Sequence, residues 1–178
     1  MGWKMSTIMT IEEGDIDSVE KRKRFTIGII GSGRIYLLYA CLFAQAGFKI
    51  VAADSNQYIL TFLKEGRIPF LQAECNTLLK KHIKDGLLTP ATNFREVAAK
   101  SDVILLLVHA TIDRNKKPNY STIEKACKEI GMNLRVGCLI IVTSMMGLGM
   151  TENLVKETLE NASGLKAGVD FGLAYNPA

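Results

Sequence analysis

The chain has 178 residues, of which 48% are apolar and 22% charged, and its formal net charge at pH 7 is +4. These proportions are typical of one globular domain and exclude a disordered or collagen-like chain. Apolar stretches such as residues 103–108 are too short to cross a bilayer. The start of the chain lacks the features of a signal peptide, so we expect a cytoplasmic protein without a membrane segment.

The predicted elements begin with an extension over residues 1–24, in which residues 11–23 form a polar helix with an acidic start and a basic end. From Phe25 apolar strands alternate with helices, and several of these helices are closed by glycine. Strands are predicted at residues 25–30, 49–53, 87–89, 102–108, 138–143 and 171–175. Helices are predicted at residues 34–45, 57–65, 76–84, from 93 onward, 121–130 and 151–160, with capping boxes at Asn93–Glu96 and Ser121–Glu124. This alternation predicts a doubly wound parallel α/β sheet over residues 25–178.

Basic residues and potential metal ligands are sparse. The dense basic run at residues 21–24 fits a solvated helix end, and no basic face with aromatic elements indicates nucleic-acid binding. Two histidines without a neighbouring cysteine cluster predict no metal site. Four cysteines without a CxxC pair, three of them in apolar segments, indicate reduced and buried thiols.

A glycine-rich turn follows the first strand and opens the first long helix. Any side chain in place of Gly31 or Gly33 would keep a pyrophosphate away from the backbone amides. The helix N-terminus supplies partial positive charge to the phosphates. In this strand, turn and helix context the pattern is typical of a dinucleotide site. We predict that the pyrophosphate is bound by the residues of this turn, Gly31, Ser32, Gly33, Arg34 and Ile35.

Asp54 ends the second strand, at the spacing usual for the carboxylate that accepts hydrogen bonds from the adenosine ribose. A carboxylate there would repel a 2′-phosphate, and Ser55 and Asn56 follow without an arginine to receive one. NAD is therefore favoured over NADP, with Asp54 and Ser55 at the ribose. The alternative is that Asp54 merely caps the next helix.

Tyr36 departs from this pattern, because the third glycine of the fingerprint would fall at its position. That glycine lets helix and strand pack closely. A tyrosine must force them apart or turn its ring outward, so a Rossmann-type domain that has lost its cofactor stays open as an alternative.

Several segments together resemble the UDP-glucose/GDP-mannose dehydrogenase family over residues 25–178. They are IGIIGSGRIYLL, VAADSNQ, the Gly66-Arg-Ile-Pro69 turn, residues 101–108 and, most specifically, residues 163–177 ending in LAYNP. The resemblance implies NAD-dependent oxidation of a nucleotide sugar's C6 alcohol to a carboxylate. It also implies that the nicotinamide is lined by Val108, His109, Ala110 and Ser144. For His109, a contact to cofactor or substrate and a loop histidine bonded to backbone are the two interpretations.

The family's catalytic cysteine belongs to a later domain, so no catalytic residue is assigned in this chain, and Cys127 and Cys138 are not candidates. We expect the chain alone to be inactive, and a nucleotide sugar to bind only together with that further domain. Apolar surface exposed where it would dock is compatible with a homo-oligomer.

The chain also departs from the family's motifs. Ala110 replaces a loop threonine, Gln72 and Ala178 replace glutamates, and residues 144–151 keep only Ser144, Gly149 and Thr151 of a turn motif. An alanine in place of a carboxylate cannot relay protons. These changes favour a second hypothesis, a non-catalytic homologue that acts as a binding or assembly module. A 6-phosphogluconate-type dehydrogenase is a weaker alternative, against which the LAYNP ending argues.

Overall fold

The computed structural model describes residues 11–31, 34–68, 73–112 and 116–176. The strands of these ranges are β1 Thr26–Gly31, β2 Lys49–Asp54, β3 Leu88–Pro90, β4 Val103–Leu107, β5 Thr111–Ile112, β6 Pro118–Asn119, β7 Leu139–Val142 and β8 Gly172–Tyr175. The α-helices are α1 Val19–Arg22, α2 Arg34–Gln45, α3 Gln57–Lys64, α4 Ala73–Lys84, α5 Phe94–Lys100, α6 Ser121–Gly131 and α7 Glu157–Ser163. A 3₁₀ turn at Glu13–Asp15 precedes α1, and a π-helical turn at Thr151–Lys156 precedes α7.

Six strands form one parallel sheet in the order β3-β2-β1-β4-β7-β8. The chain runs outward from β1 through β2 to β3, and then restarts at β4 and runs outward in the other direction. This reversal confirms the predicted doubly wound fold. In such sheets ligands bind outside the carboxyl ends of the strands where the order reverses, which here is the edge formed by the ends of β1 and β4.

Helices cover both faces of the sheet, which explains why its strands read as continuous apolar runs. Along β4 the side chains alternate, so that Leu105 and Leu107 pack on the side of α2 and α4, while Ile104 and Leu106 pack on the side of α5, α6 and α7. None of the helices in the described ranges is both long and apolar enough to span a membrane.

Glycines and capping residues in the sequence predicted most of the helix ends correctly. The glycines predicted to close α2, α3 and α4 have φ angles of 100°, 65° and 70°, at Gly47, Gly66 and Gly86. Asn93 caps α5 by accepting a hydrogen bond from the Glu96 amide at 2.9 Å. The Glu96 carboxylate accepts from the Thr92 amide, also at 2.9 Å, rather than from Asn93.

The N-terminal extension does not form the single helix predicted over residues 11–23. A 3₁₀ turn and the four-residue helix α1 replace it. Gly14 lowers helix propensity there, and the Ser18 hydroxyl starts a new helix by accepting from the Lys21 amide at 3.4 Å. The extension packs on the end of α2, where Arg22 Nη1 donates to the Ala46 carbonyl at 3.0 Å.

The second predicted capping box is also wrong. α6 has Tyr120 as its N-cap residue, so Ser121 lies inside the helix, and the Glu124 carboxylate pairs with Lys128 at 2.6 Å. Gly131 is the last residue of α6 rather than the residue that follows it. A Cβ at Gly131 would lie 2.6 Å from Cβ of Ala162 on α7, so this glycine serves the contact between the two helices. The polar loop predicted before α6 contains the β5–β6 hairpin.

Gly28 sets the distance between β1 and α5. A Cβ at this position would lie 2.6 Å from Val97 Cγ1 and against the Ser101 hydroxyl. That hydroxyl is buried and donates to the Val97 carbonyl at 2.7 Å, so it cannot turn away without losing its bond.

We therefore expect Gly28→Ala to lower the free energy of unfolding by about 1–3 kcal/mol, since overpacking a filled core costs this much. Urea unfolding of the two proteins measures the difference. Gly14→Ala is the matched control, because a Cβ there meets nothing within 4 Å, and its effect should stay within about 0.5 kcal/mol. Equal stability of Gly28→Ala and the parent would show that β1 and α5 are not in close contact.

Candidate dinucleotide-binding site

A cavity of about 530 Å³ opens at the carboxyl edge of the sheet. Its walls come from the end of β2, the loop between β3 and α5, and the first turns of α5 and α6. Polar groups on these walls include Asp54, Ser55, Asn93, Ser121 and Lys125. The cavity lies where the fold predicts a ligand, in a crevice between elements that are distant in sequence.

Asp54 is the last residue of β2, lies opposite Gly31 in the β1–β2 pairing and is only 3% exposed. Its Oδ1 accepts a hydrogen bond from the Asn56 amide at 2.7 Å. Asn56 rather than Asp54 caps α3, since its Oδ1 accepts from the Tyr58 amide at 2.9 Å. The alternative that Asp54 caps this helix is therefore wrong, and Asp54 is one of the residues that line the cavity. Ser55 beside it is exposed.

The described elements on either side of the glycine turn are β1 and α2, in the order that the sequence predicts. β1 ends at Gly31 and α2 begins at Arg34, and Ile35 is half-exposed in its first turn. Ser32, Gly33 and the side chain of Arg34 lie outside the described residues. The described part fits a dinucleotide, because the strand that leads into a helix N-terminus ends beside a buried carboxylate, with Gly31 paired to Asp54.

Tyr36 is fully buried, so the alternative of an outward-turned ring is wrong. A Cβ built on Gly31 would lie 2.5 Å from Cβ and 2.6 Å from Cγ of Tyr36. Gly31 therefore provides the space that the fingerprint usually obtains from its third glycine. Burial, followed by the neighbouring Asp54 carboxylate, raises the pKa of Tyr36 above its ordinary value.

The residues expected at the nicotinamide lie at the ends of β4 and β7. Val108 and Ser144 are buried, and the Ser144 hydroxyl donates to the Leu106 carbonyl at 3.3 Å. His109 is exposed and Ala110 is partly buried against the core. The fold thus brings this group to the same edge of the sheet as Asp54.

Sequence reasoning missed the contribution of α6 to the cavity. Ser121 and Thr122 in its first turn and Lys125 one turn further line the wall opposite β2. The sequence did contain a signal for this contribution. β4 ends at the binding edge of the sheet, and α6 follows the loop that begins there. Gln72 and Ala178, two of the departures from the family motifs, lie outside the described residues.

Burial of the thiols accords with the sequence analysis for Cys41, Cys127 and Cys138. Burial is the main cause that raises the pKa of Cys127 and of Cys138 to about 12. The nucleophilic form of cysteine is the thiolate, so neither residue is an activated nucleophile at neutral pH.

A family model for the NAD binding domain of the UDP-glucose/GDP-mannose dehydrogenase family matches residues 25–178. This chain belongs to that family. The match confirms the predicted family and the predicted NAD-binding domain. The cofactor of this family domain is NAD.

Individual relatives agree with the family match. GDP-mannose 6-dehydrogenase of Pseudomonas putida is 32% identical over 154 residues, which are 85% of this chain and 35% of that protein. UDP-N-acetyl-D-mannosamine dehydrogenase of Pyrococcus horikoshii is 28% identical, with the same two coverages. The crystal structure of a ternary complex of GDP-mannose dehydrogenase from Pseudomonas aeruginosa matches with a TM-score of 0.79 and 28% identity, over 85% of this chain and 35% of the other. The chain thus spans about a third of the length of these relatives.

The thiols offer a test of which cysteines are buried in the core. At pH 8 a thiol with a pKa of about 12 is ionised in on the order of one molecule in ten thousand. We expect the partly exposed Cys75 to react first with a thiol-specific disulfide reagent in the folded protein, and all four cysteines to react in urea. Cys75→Ser should remove the fast phase. Labelling of Cys127 or Cys138 as fast as Cys75, located by mass spectrometry, would contradict the buried assignment.

Proposed function

We propose that residues 25–178 form a dinucleotide-binding domain that binds NAD at the carboxyl edge of the sheet, with residues 1–24 as an extension to it. It would serve as the cofactor-binding part of a nucleotide-sugar 6-dehydrogenase-like oxidoreductase. The observation that supports this most is Asp54, a buried acid that is paired with Gly31 and is among the residues lining a cavity of about 530 Å³.

Each group of residues would hold one part of the cofactor. The amides of residues 31–35, at the N-terminus of α2, would hold the pyrophosphate, and Asp54 with Ser55 would accept hydrogen bonds from the adenosine ribose. Val108, His109, Ala110 and Ser144 would line the nicotinamide. When bound, NAD supplies a hydride acceptor, while these side chains orient it and exclude water.

Selectivity for NAD over NADP would follow from charge. A buried carboxylate repels a 2′-phosphate strongly because the surrounding medium screens poorly. The positive charge of Lys125 lies on the opposite wall of the same cavity. The negative charge of Glu129, on the same wall, offsets it. We therefore propose that Lys125 does not reverse the preference set by Asp54.

The activity of the whole protein is a further proposal, because this chain spans 35% of its relatives. The Pseudomonas relative is named for the 6-dehydrogenation of GDP-mannose. We propose a nucleotide sugar as the substrate, bound between this domain and a further one that supplies the catalytic cysteine. A homo-oligomer and a cytoplasmic location remain predictions alongside it.

The second candidate is a non-catalytic homologue that serves in binding or assembly. Tyr36 at the third glycine position and Ala110 in place of a threonine favour it. The structure weakens the first of these arguments, because the Tyr36 ring is buried beside Gly31 and is not among the residues that line the cavity. NAD affinity discriminates between the two candidates.

Calorimetric titration should show NAD binding to the purified chain, with weaker binding of NADP. We expect Asp54→Asn to raise the NAD dissociation constant by about tenfold or more, since a hydrogen bond to a charged group contributes about 1.5–3 kcal/mol. Asparagine keeps an acceptor for the Asn56 amide, so the turn should survive. Asp85→Asn, an exposed acid after α4, is the matched control and should bind NAD as the parent does. No heat at millimolar NAD, or an unchanged affinity in Asp54→Asn, would refute the proposal.

We also expect no turnover by the chain alone. When NAD and either UDP-glucose or GDP-mannose are added, the absorbance of NADH should not increase, because Cys127 and Cys138 are buried and protonated. A sustained increase that depends on the sugar would show that this domain carries its own catalytic group.

A further inference from the structure

The Tyr36 phenol has no role in the site as described so far, although it is one of the largest side chains in the core and 0% exposed. It stands on the first turn of α2, directly after the glycine turn. Its hydroxyl reaches no acceptor at regular hydrogen-bond geometry within the described ranges, and the acceptor nearest in effect is the Asp54 carboxylate, which acts on its pKa. A buried O–H without a regular acceptor is costly, so its position calls for a physical reason.

The surroundings of the ring place it behind the ribose-binding carboxylate. Cβ and Cγ of Tyr36 occupy the space that a side chain on Gly31 would take. Gly31 in turn is paired with Asp54 across β1 and β2. The ring therefore packs on the last residue of β1, and the negative charge of the neighbouring Asp54 contributes to the raised pKa of the phenol.

The two sides of Asp54 are chemically different. Its Oδ1 is held by the Asn56 amide at 2.7 Å, and the residue lines the cavity from which a ribose would approach. Tyr36 is not among the residues that line that cavity and is completely buried. Because the Asp54 carboxylate is near enough to act on its phenol, the phenol approaches Asp54 from the core. A donor on this side fixes the orientation of the carboxylate without occupying the ligand's space.

We propose that Tyr36 is a positioning residue for the dinucleotide, whose phenol O–H donates to the Asp54 carboxylate from the core and holds it in the orientation that accepts the adenosine ribose hydroxyls. This role rests on the proposed NAD binding. It gives the tyrosine a function at a position where the fingerprint has only a packing glycine.

Tyr36→Phe tests the role, because it removes the hydroxyl and keeps the ring that fills the space beside Gly31. We expect the NAD dissociation constant to rise threefold to tenfold. Tyr39→Phe is the matched control, since Tyr39 lies on the same helix but stacks on Phe43, with ring centroids 6.3 Å apart, and it should leave NAD affinity unchanged. Thermal unfolding of both variants verifies that they are folded.

Two further titrations separate positioning from a purely structural effect. In an Asp54→Asn background, Tyr36→Phe should cause no further loss of affinity, because the hydroxyl acts through the carboxylate. With NAD that lacks the 2′-hydroxyl of the adenosine ribose, the penalty of Tyr36→Phe should shrink. Should Tyr36→Phe fail to fold, 3-fluorotyrosine at position 36, a stronger donor of the same shape, should bind NAD at least as tightly as the parent protein.

The outcomes are distinguishable. A parent protein that does not bind NAD refutes the proposed function, and with it the role of Tyr36. If the parent binds NAD and Asp54→Asn weakens it, then unchanged affinity in Tyr36→Phe overturns the role of Tyr36 alone. An equal penalty in the Asp54→Asn background does the same. Tighter binding by Tyr36→Phe would also overturn it, because the phenol would then compete with the ribose.

Discussion

The site depends on the contact between β1, β2 and the first turn of α2. Gly31 has no side chain, and this allows Tyr36 to pack against the end of β1. The parallel pairing of β1 and β2 then sets Asp54 beside Gly31. Gly31 thus lies next to Tyr36, next to Asp54 and just before the N-terminus of α2. A change at Gly31 would therefore disturb all three.

The order of the strands adds the second half of the crevice. Because β4 pairs with β1 on the side opposite to β2, the segments that follow β4 and β7 reach the same edge as Asp54. Ser121 and Lys125 of α6 thereby line the cavity together with Asp54. The Ser144 hydroxyl donates to the Leu106 carbonyl and so stabilises the junction of β4 and β7, while its oxygen can still accept a hydrogen bond.

Much of the fold could be predicted from the sequence because its signals are local. Strands buried on both faces read as apolar runs, and glycines that close helices adopt left-handed backbone, as at Gly47. The failures have local competitors. At Ser121 the spacing of a capping box is present, but the chain enters the helix one residue earlier with Tyr120 as N-cap. In the extension, the cap at Ser18 outcompetes a longer helix.

The sequence by itself determined the doubly wound fold, the strand, turn and helix around Gly31, and the place of Asp54 at the end of its strand, because each follows from spacing along one segment. Only the tertiary structure decided that Tyr36 turns inward, that Asn56 leaves Asp54 to face the cavity, and that α6 closes the crevice. These depend on which side chains meet across the sheet. Spacing along the chain cannot show whether the room for a tyrosine on a helix is supplied by a glycine on the strand beneath it.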